Sequence, residues 1–212
     1  AHITITGVKK LKPVEYTVIP DRIEAGTFLT AAALIKNSEI KIRNFIIAHS
    51  PAVVEYYRQA GVIIEELSKN SVIVKAPEII KPLAVKTAPF PAFATDMQPQ
   101  LCALLCLAQG KSFVSETVFE NRFMHISELN RLGANITIDR NTAIITGVDK
   151  LIGAQIMATD LRAGAALVIA ALRAQGVSEV FRIYHIDRGY DKLEDKLTKL
   201  GAKIKRVKTD KY

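Results

Sequence analysis

The stretch QAGVIIEEL at residues 59–67 has two counterparts along the chain, RLGANITID at residues 131–139 and KLGAKIKRV at residues 199–207. In each stretch a glycine closes an amphipathic segment and opens a short alternating one. A glycine at that place is typical of a helix end that leads into a strand, because the turn needs a left-handed residue. The three stretches therefore predict the same helix–strand junction three times.

A second motif precedes each junction, an aspartate followed by a very apolar run. These aspartates are Asp21, before EAGTFLTAAAL, Asp96, before QPQLCALLCLA, and Asp160, before RAGAALVIAAL. Two motifs that recur three times in one order indicate a supersecondary unit that has been copied. Each copy reads strand, helix, strand, helix, strand, and the first two copies add a further strand. The first copy begins with the predicted strand at residues 16–19. We place the copies at about residues 13–77, 83–148 and 154–207.

The two helices of each copy differ in character. The helices after the aspartates are apolar nearly all round and must be enclosed, whereas the second helices have one apolar stripe, formed in the third copy by Leu193, Leu197 and Leu200. The strands alternate apolar and polar residues, so each has one dry and one wet face. The predicted fold is α/β (α+β), an inside-out barrel of three βαβαββ repeats with buried helices, outer sheets and pseudo-threefold symmetry. The predicted helices are 21–36, 50–60, 96–109, 124–132, 160–175 and 190–200.

The two ends of the chain predict that it is a piece of a longer protein. ITITGVKKL at residues 3–11 is similar to AIITGVDKL at residues 143–151, so residues 1–12 are predicted to be the end strand of a preceding unit. The third copy stops after its third strand. Residues 1–212 then form one domain, without a further domain boundary.

Composition narrows the function classes. The chain is 49% hydrophobic and 24% charged, as expected of a globular protein, and carries a formal net charge of +8. A basic balance suits anionic partners such as phosphorylated metabolites or nucleic acid. The richest apolar run, residues 163–172, is too short for a membrane span. Cys102 and Cys106 share a helix face among leucines, which predicts neither a disulfide nor a metal site and fits a reducing cytoplasm.

The three aspartates have two interpretations. Aspartate is a preferred N-cap, and Asp21 followed by Glu24 resembles a capping box, so a structural role is expected at least for Asp21. Three parallel helices would also present their N-termini at one end, where an anion could bind. Arginines occur in the same segments or on the following loops, at Arg22, Arg122, Arg162 and Arg188.

Two polar loops favour a site at that end. KTAPFPAFATDMQPQ presents Asp96 among prolines, and ETVFENRFMH packs charged residues and His125 into a strand-to-helix turn. Rigid polar loops at the ends of buried elements are common places for sites. His125 and His185 can equally be ordinary half-buried histidines, and neither is chosen as catalytic.

Five strings together resemble the bacterial enolpyruvyl transferase family that begins peptidoglycan synthesis, the UDP-N-acetylglucosamine 1-carboxyvinyltransferases. They are PDRIEAGTFLTAAAL, APFPAFATDMQPQ, ETVFENRFMHISEL, ATDLRAGAALVIAAL and IYHIDRGYDKLEDKLTKLGA, which span nearly the whole chain. The resemblance implies the EPSP synthase-like fold of two similar domains with the active site between them. This chain resembles the second half.

The resemblance also implies site residues. Asp96 matches the residue proposed as the base for the 3-hydroxyl of the amino sugar, and the main chain at Val118 matches a sugar contact. Arg162 and Arg188 match arginines near the carboxylate and phosphate of phosphoenolpyruvate, Arg188 being predicted as catalytic with Asp96. Further cleft residues are matched by Glu120, Arg122 and Asp160.

The implied reaction moves the enolpyruvyl group of phosphoenolpyruvate to UDP-N-acetylglucosamine and releases phosphate, in the cytoplasm and without a cofactor or metal ion. The implied partners are these two substrates and the missing N-terminal half, which carries a Lys-Asn pair and a loop with a catalytic cysteine. The chain alone is therefore expected to be inactive. Neither a membrane nor nucleic acid is expected as a partner.

Two other hypotheses remain open on the residues. The basic pI of about 9.5 and the repeats would fit a nucleic-acid-binding module, although aromatic residues make up 7% and there is no tryptophan for stacking. The second hypothesis is a non-catalytic module that binds the sugar nucleotide. Salt-dependent RNA binding would favour the first, and tight binding of UDP-N-acetylglucosamine by this chain alone would favour the second.

Overall fold

The computed structural model describes residues 2–208. Its helices are α1 (Arg22–Leu34), α2 (Pro51–Gln59), α3 (Gln98–Leu105), α4 (Met124–Arg131), α5 (Leu161–Arg173), α6 (Tyr184–Asp187) and α7 (Leu193–Lys199). Its strands are β1 (Glu39–Arg43), β2 (Ile63–Ser68), β3 (Ser71–Lys75), β4 (Ala84–Lys86), β5 (Lys111–Ser115), β6 (Asn135–Asp139), β7 (Thr142–Thr146), β8 (Gln155–Met157) and β9 (Glu179–Phe181).

The strands form three sheets, one for each repeat. The first has the order β1-β3-β2, the second β4-β5-β7-β6, and the third pairs β8 with β9. In the second and third sheets, the first two strands of the repeat are parallel (β4 with β5, β8 with β9) because a buried helix crosses between them. β7 pairs antiparallel with both β5 and β6.

Helices α1, α3 and α5 lie at the centre and contact one another. Every residue of α3 is buried, and α1 and α5 are buried along most of their lengths. Their small residues allow close approach: a Cβ on Gly26 of α1 would lie 2.6 Å from the Met97 sulfur, just before α3. The predicted arrangement of helices inside and sheets outside is confirmed.

The remaining helices cover the sheets through one apolar face, as the sequence pattern predicts. α4 buries Ile126 and Leu129, and α7 buries Leu193 and Leu197. Leu200, predicted to continue the α7 stripe, instead follows the helix end and is half exposed. The three junction glycines Gly61, Gly133 and Gly201 have φ of +98°, +88° and +96°, which explains why glycine recurs there.

Strand pairing departs from the predicted repeat at both ends. Residues 16–19 and 203–207 are not strands, and residues 2–12 do not form the predicted end strand. A strand needs a partner for its backbone N–H and C=O groups. By analogy with β4 beside β5, residues 16–19 would pair with β1, but they lie exposed away from it. Within the described residues, the full βαβαββ pattern is present in the middle repeat alone.

The described helices include none that is both long enough and apolar enough to cross a lipid bilayer.

Candidate active site at the helix N-termini

Two of the three motif aspartates cap their helices. The Asp21 carboxylate accepts from the N–H groups of Ile23 (2.7 Å) and Glu24 (3.3 Å) at the start of α1. Asp160 Oδ1 accepts from the N–H groups of Arg162 and Ala163, at 2.8 and 2.9 Å. The capping-box prediction at Asp21 is wrong in one respect: the Glu24 side chain pairs with Lys196 at 2.6 Å.

Asp96 has a different environment. It lies in the 3-10 turn Thr95–Met97 that leads into α3, and its side chain forms no cap. Instead, Oδ1 lies 2.9 Å from Nη1 of Arg122, and Oδ2 lies 3.2 Å from Nη2 of Arg162. Nε of Arg162 also donates to Oδ2, at 3.3 Å. Asp96 therefore caps no helix and instead pairs with two guanidinium groups, which is the first indication of a functional site.

This cluster joins two repeats at the end of the molecule where the central helices begin. Asp96 precedes α3, Arg162 lies in the first turn of α5, and Arg122 lies just before α4. The arginine side chains are mostly buried (14% and 15% exposed), whereas the Asp96 side chain is 37% exposed. Two guanidiniums share the single carboxylate of Asp96, so each keeps N–H donors that an anionic ligand could use. Guanidiniums suit carboxylate and phosphate because they bind both with paired N–H groups.

Aromatic rings support both guanidiniums. The Arg122 guanidinium carbon lies 5.3 Å from the centre of the Phe119 ring, and that of Arg162 lies 5.8 Å from the centre of the Tyr190 ring. Burial acts to lower the pKa of Arg162, but the neighbouring Tyr190 and Asp96 outweigh it and raise the pKa. Arg162 is therefore charged, and the ring contacts and ion pairs hold both side chains in place.

Val118 and Glu120 lie on the exposed loop between β5 and α4. The Val118 N–H donates to Glu116 at 2.9 Å, which leaves its carbonyl as the main-chain group free to face a ligand. The Glu120 side chain is exposed and forms no hydrogen bond or ion pair with residues 2–208. Arg122 therefore joins Asp96, whereas Glu120 does not.

Arg188 is a further predicted site residue that lies apart from the cluster. It follows α6, is exposed, and forms no ion pair within residues 2–208. Its neighbour Asp187 is paired with Arg206 instead, at 2.6 Å. The sequence motif HIDRGY thus supplies an exposed arginine that forms no hydrogen bond or ion pair with Asp96.

The two histidines differ in burial, and His125 is fully buried rather than half-buried as the sequence suggests. His125 is buried at the start of α4, and burial lowers its pKa to about 4, an effect that the nearby Arg122 strengthens and Asp160 opposes. It is therefore neutral at pH 7. His185 lies with its ring against Tyr184, at 4.3 Å between centres.

A hydrogen-bonded node inside the bundle links all three repeats, and sequence reasoning missed it. The Tyr190 hydroxyl lies 2.8 Å from the Thr27 hydroxyl, which also accepts from the Gln100 side chain at 3.1 Å. Each residue is buried. Because Tyr190 also supports Arg162, the node connects the core to the charged cluster. Thr27 and Gln100 stand in apolar helical runs, and their polarity was the signal available.

A second missed residue is Glu116, at the end of β5. Its buried carboxylate accepts from the Thr87 and Thr95 hydroxyls, at 2.6 and 2.8 Å. Burial acts to raise the pKa of Glu116, but its hydrogen bonds outweigh burial and lower the pKa below its usual value. The signal that could have distinguished Glu116 from Glu120 is its place directly after β5, two residues from the buried Val114, which puts Glu116 on the inner face of the strand, whereas Glu120 lies farther along the loop.

Cys102 and Cys106 are buried in and just after α3 and form no disulfide. Burial raises the pKa of the Cys106 thiol to about 12 and that of Cys102 well above its usual value. Both are therefore unreactive thiols in the folded chain. Residues 2–208 hold no cluster of three or more side chains that could bind a metal ion.

The chain matches a known family over most of its length. A sequence model of the family described as EPSP synthase (3-phosphoshikimate 1-carboxyvinyltransferase) matches residues 1–197. A UDP-N-acetylglucosamine 1-carboxyvinyltransferase of Geobacter metallireducens is 55% identical over 207 residues, which are 97% of this chain and 49% of that protein. Its counterpart in Novosphingobium aromaticivorans is 51% identical over 99% of this chain and 49% of its own length. The chain thus spans about half the length of these relatives.

Solved structures agree on the fold. The enolpyruvyl transferase NikO from Streptomyces tendae superimposes with a TM-score of 0.81 and 29% identity over 92% of this chain and 46% of its own. An EPSP synthase from Acinetobacter baumannii, at 21% identity and a TM-score of 0.58, covers 78% of this chain and 39% of its own and supports the fold alone. With the family match over residues 1–197, the chain belongs to the EPSP synthase family, whose fold its three repeats adopt.

Proposed function

We propose that this chain is one half of an enolpyruvyl transferase that moves the enolpyruvyl group of phosphoenolpyruvate to the 3-hydroxyl of UDP-N-acetylglucosamine and releases phosphate. The observation that carries the proposal is the Asp96 carboxylate held between Arg122 and Arg162. It offers a proton acceptor beside two fixed positive charges at a partly exposed position. The similarity to named transferases over nearly the whole chain supports the choice of substrates.

Asp96 would accept the proton of the sugar hydroxyl as its oxygen adds to C2 of phosphoenolpyruvate. A proton must reach the methylene carbon in the same addition, which gives a tetrahedral ketal. Loss of a proton from that carbon and departure of phosphate then restore the double bond in the product. A positioned carboxylate is a suitable base for the first step, provided that the bound sugar places its hydroxyl within hydrogen-bond reach of Asp96.

Arg122 and Arg162 would bind the anionic groups of phosphoenolpyruvate and stabilise the charge of the ketal. Such fixed guanidiniums are effective because they need no reorganisation when charge develops. Both arginines are paired with Asp96, so an entering anion would compete for them and release the carboxylate for the sugar hydroxyl. Arg188 would complete the site once a ligand or the other half draws it inward.

The remainder of the site is expected from a second half with the same fold. The coverage of about half of each relative supports this partner, and the proton donor to the methylene carbon belongs there in the proposal. The exposed rim at Val118 and Glu120 would face the sugar. We place the enzyme in the cytoplasm, where the two free cysteines would stay reduced. No observation on the fold or its relatives favours the nucleic-acid or non-catalytic module.

The test combines this chain with the complementary half of the protein, supplied in the same polypeptide or as a second chain. Phosphate release from phosphoenolpyruvate is measured with and without UDP-N-acetylglucosamine. We expect release only when both halves and both substrates are present. Assembly without any sugar-dependent release would overturn the proposal.

Asp96→Asn tests the base, with Asp139→Asn as the matched control on an exposed strand end. The first variant should lose turnover by roughly 100-fold or more, as expected for loss of general-base catalysis. The second should retain it. Full turnover by Asp96→Asn would refute the assignment of the base.

A further inference from the structure

We propose that Glu116 is a positioning residue that holds the general base and the sugar-contact loop in register through one buried carboxylate. The inference rests on the proposed function, because it assigns a role within that reaction. Glu116 itself would touch neither substrate. Its side chain, 5% exposed, lies behind the loops that do.

The two carboxylate oxygens hold different loops. Oε2 accepts from the Thr95 hydroxyl at 2.8 Å, in the residue next to Asp96. Oε1 accepts from the N–H groups of Val118 and Phe119, at 2.9 and 3.1 Å. It also accepts from the Thr87 hydroxyl, at 2.6 Å. One side chain thus ties the turn that presents the proposed base to the turn that presents the proposed sugar contact.

The Thr95 hydroxyl extends this connection to the charged cluster. While it donates to Glu116, it accepts from Nη1 of Arg122 at 3.3 Å. The same Arg122 nitrogen lies 2.9 Å from Asp96 Oδ1. A continuous path therefore runs from Glu116 through Thr95 and Arg122 to Asp96. A shift at Glu116 would move the guanidinium and carboxylate together.

The Thr87 hydroxyl braces the loop from the other side. Besides donating to Glu116, it accepts from the Thr117 N–H at 2.9 Å, and the Thr117 hydroxyl donates to the Thr87 carbonyl. Asn141 closes the edge by donating from its side chain to the Glu116 carbonyl at 3.0 Å. The end of β5 is thus fixed on both sides. Hydrogen bonds to both carboxylate oxygens then hold the Glu116 side chain in the orientation seen in the structure.

A carboxylate is required here because all four groups that it faces are donors. Glutamine has the same shape, but its NH2 group would face either the Thr95 hydroxyl or the three donors at Oε1, which are the Thr87 hydroxyl and the two amides. At least one donor would then lose its acceptor, which disturbs the site more than loss of an exposed bond. Glu116→Gln is therefore a small change in volume and a large one in hydrogen bonding.

The experiment uses the assembled two-half enzyme, with Glu128→Gln as the matched control. Glu128 is also a buried carboxylate that accepts a backbone N–H, that of Met157 at 2.8 Å, but it touches none of the cluster. We expect Glu116→Gln to lower kcat by about 100-fold, the effect of roughly 1 Å of misplacement, and to raise KM for the sugar nucleotide. Glu128→Gln should leave both within about threefold of the parent.

Substitution of Thr95 tests the path without touching Glu116. Thr95→Val keeps the shape and removes the hydroxyl, so it should lower kcat, whereas Thr95→Ser keeps the hydroxyl and should restore most of it. Because both residues act along one path, Glu116→Gln with Thr95→Val should cost less than the product of the single effects. If Glu116→Gln fails to fold, the comparison of Thr95→Val with Thr95→Ser tests the inference by itself.

A structural measurement separates this inference from the proposed function. Amide hydrogen exchange at Val118 and Phe119 in this chain should be at least tenfold faster in Glu116→Gln than in the parent or in Glu128→Gln. Absence of turnover in the parent assembly would refute the proposed function. The exchange measurement would still test whether Glu116 holds the loop at Val118 and Phe119. Parent-like kcat in both Glu116→Gln and Thr95→Val, or unchanged exchange, would overturn the inference.

Discussion

Nη2 of Arg162 lies 3.2 Å from Oδ2 of Asp96, although 66 residues separate them in sequence. The contact joins the first turn of α5 to the turn that precedes α3, and so links the third repeat to the second. Both residues follow or belong to the recurring aspartate motif, yet the motif serves different ends: a helix cap at Asp160 and an ion pair at Asp96. The structure thereby separates aspartates that are alike in sequence.

Arg162→Lys should impair the assembled enzyme. Arg162 approaches Asp96 with both Nε and Nη2 and rests on the Tyr190 ring, and lysine can reproduce neither the paired donors nor the planar stacking. We expect kcat/KM for phosphoenolpyruvate to fall by roughly tenfold or more. Arg43→Lys, at an exposed strand position, is the control and should be silent in the same steady-state assay. Equal behaviour of the two variants would contradict the role of the guanidinium.

Asp160→Ala should destabilise the chain by about 1 kcal/mol because two N–H groups of α5 lose their acceptor. Asp160→Asn should retain most of that stability, since asparagine caps equally well. Urea unfolding followed by circular dichroism measures the difference. If the asparagine variant were as unstable as the alanine variant, charge rather than capping would be the role of Asp160.

Gly147→Ala should destabilise the fold by roughly 1–3 kcal/mol, the usual cost of overpacking. A Cβ on Gly147 would overlap the Ala108 carbonyl, a backbone group that cannot rotate away. Gly7 is the matched control, because it stands in the similar string ITITGV and a Cβ added there would meet nothing within 4 Å. Thermal unfolding of the two alanine variants tests this prediction. A Gly147→Ala protein as stable as the parent would show that the backbone near Ala108 can shift to accommodate the Cβ.

The stability of the chain should fall as the pH drops from about 6.5 to about 4, in part through His125. The unfolded state takes up a proton near the usual pKa of 6.5, whereas buried His125 in the folded state does so near 4. The unfolded state therefore binds more protons in this window, which lowers the free energy of unfolding, by on the order of 3 kcal/mol at most.

His125→Gln should remove that part of the pH dependence. Denaturant unfolding of both proteins at pH 7, 5.5 and 4.5 measures it, and the two curves should converge as the pH falls. Parallel curves would mean that His125 takes up its proton equally in both states.

The repeats could be predicted from the sequence because each feature that defines them has a local cause. Glycines in the left-handed conformation recur at Gly61, Gly133 and Gly201, and the buried helices have apolar residues on all sides. The prediction of strands at residues 16–19 and 203–207 was wrong because strand formation also depends on distant residues. Alternation predicts the two faces of a strand, but pairing needs a neighbouring strand, and within residues 2–208 no strand pairs with these segments.

Asp96, Arg122 and Arg162 were predicted as site residues through the resemblance to known motifs, and the structure brings them together, although the motifs alone do not tell that one carboxylate binds both guanidiniums. Glu116 and the node at Thr27 were missed because their importance lies in partners 29 and 163 residues away. Arg188 remains a prediction that awaits a liganded, assembled protein.

The node of Thr27, Gln100 and Tyr190 has a consequence for how these repeats can vary. Since every repeat supplies one member, an exchange of a single repeat for that of a distant relative would orphan a hydroxyl or an amide in the interior, even where the transplanted piece keeps its own shape. Chimeras should therefore tolerate swaps of outer hairpins far better than swaps of central helices, and the three copies are bound to change in concert.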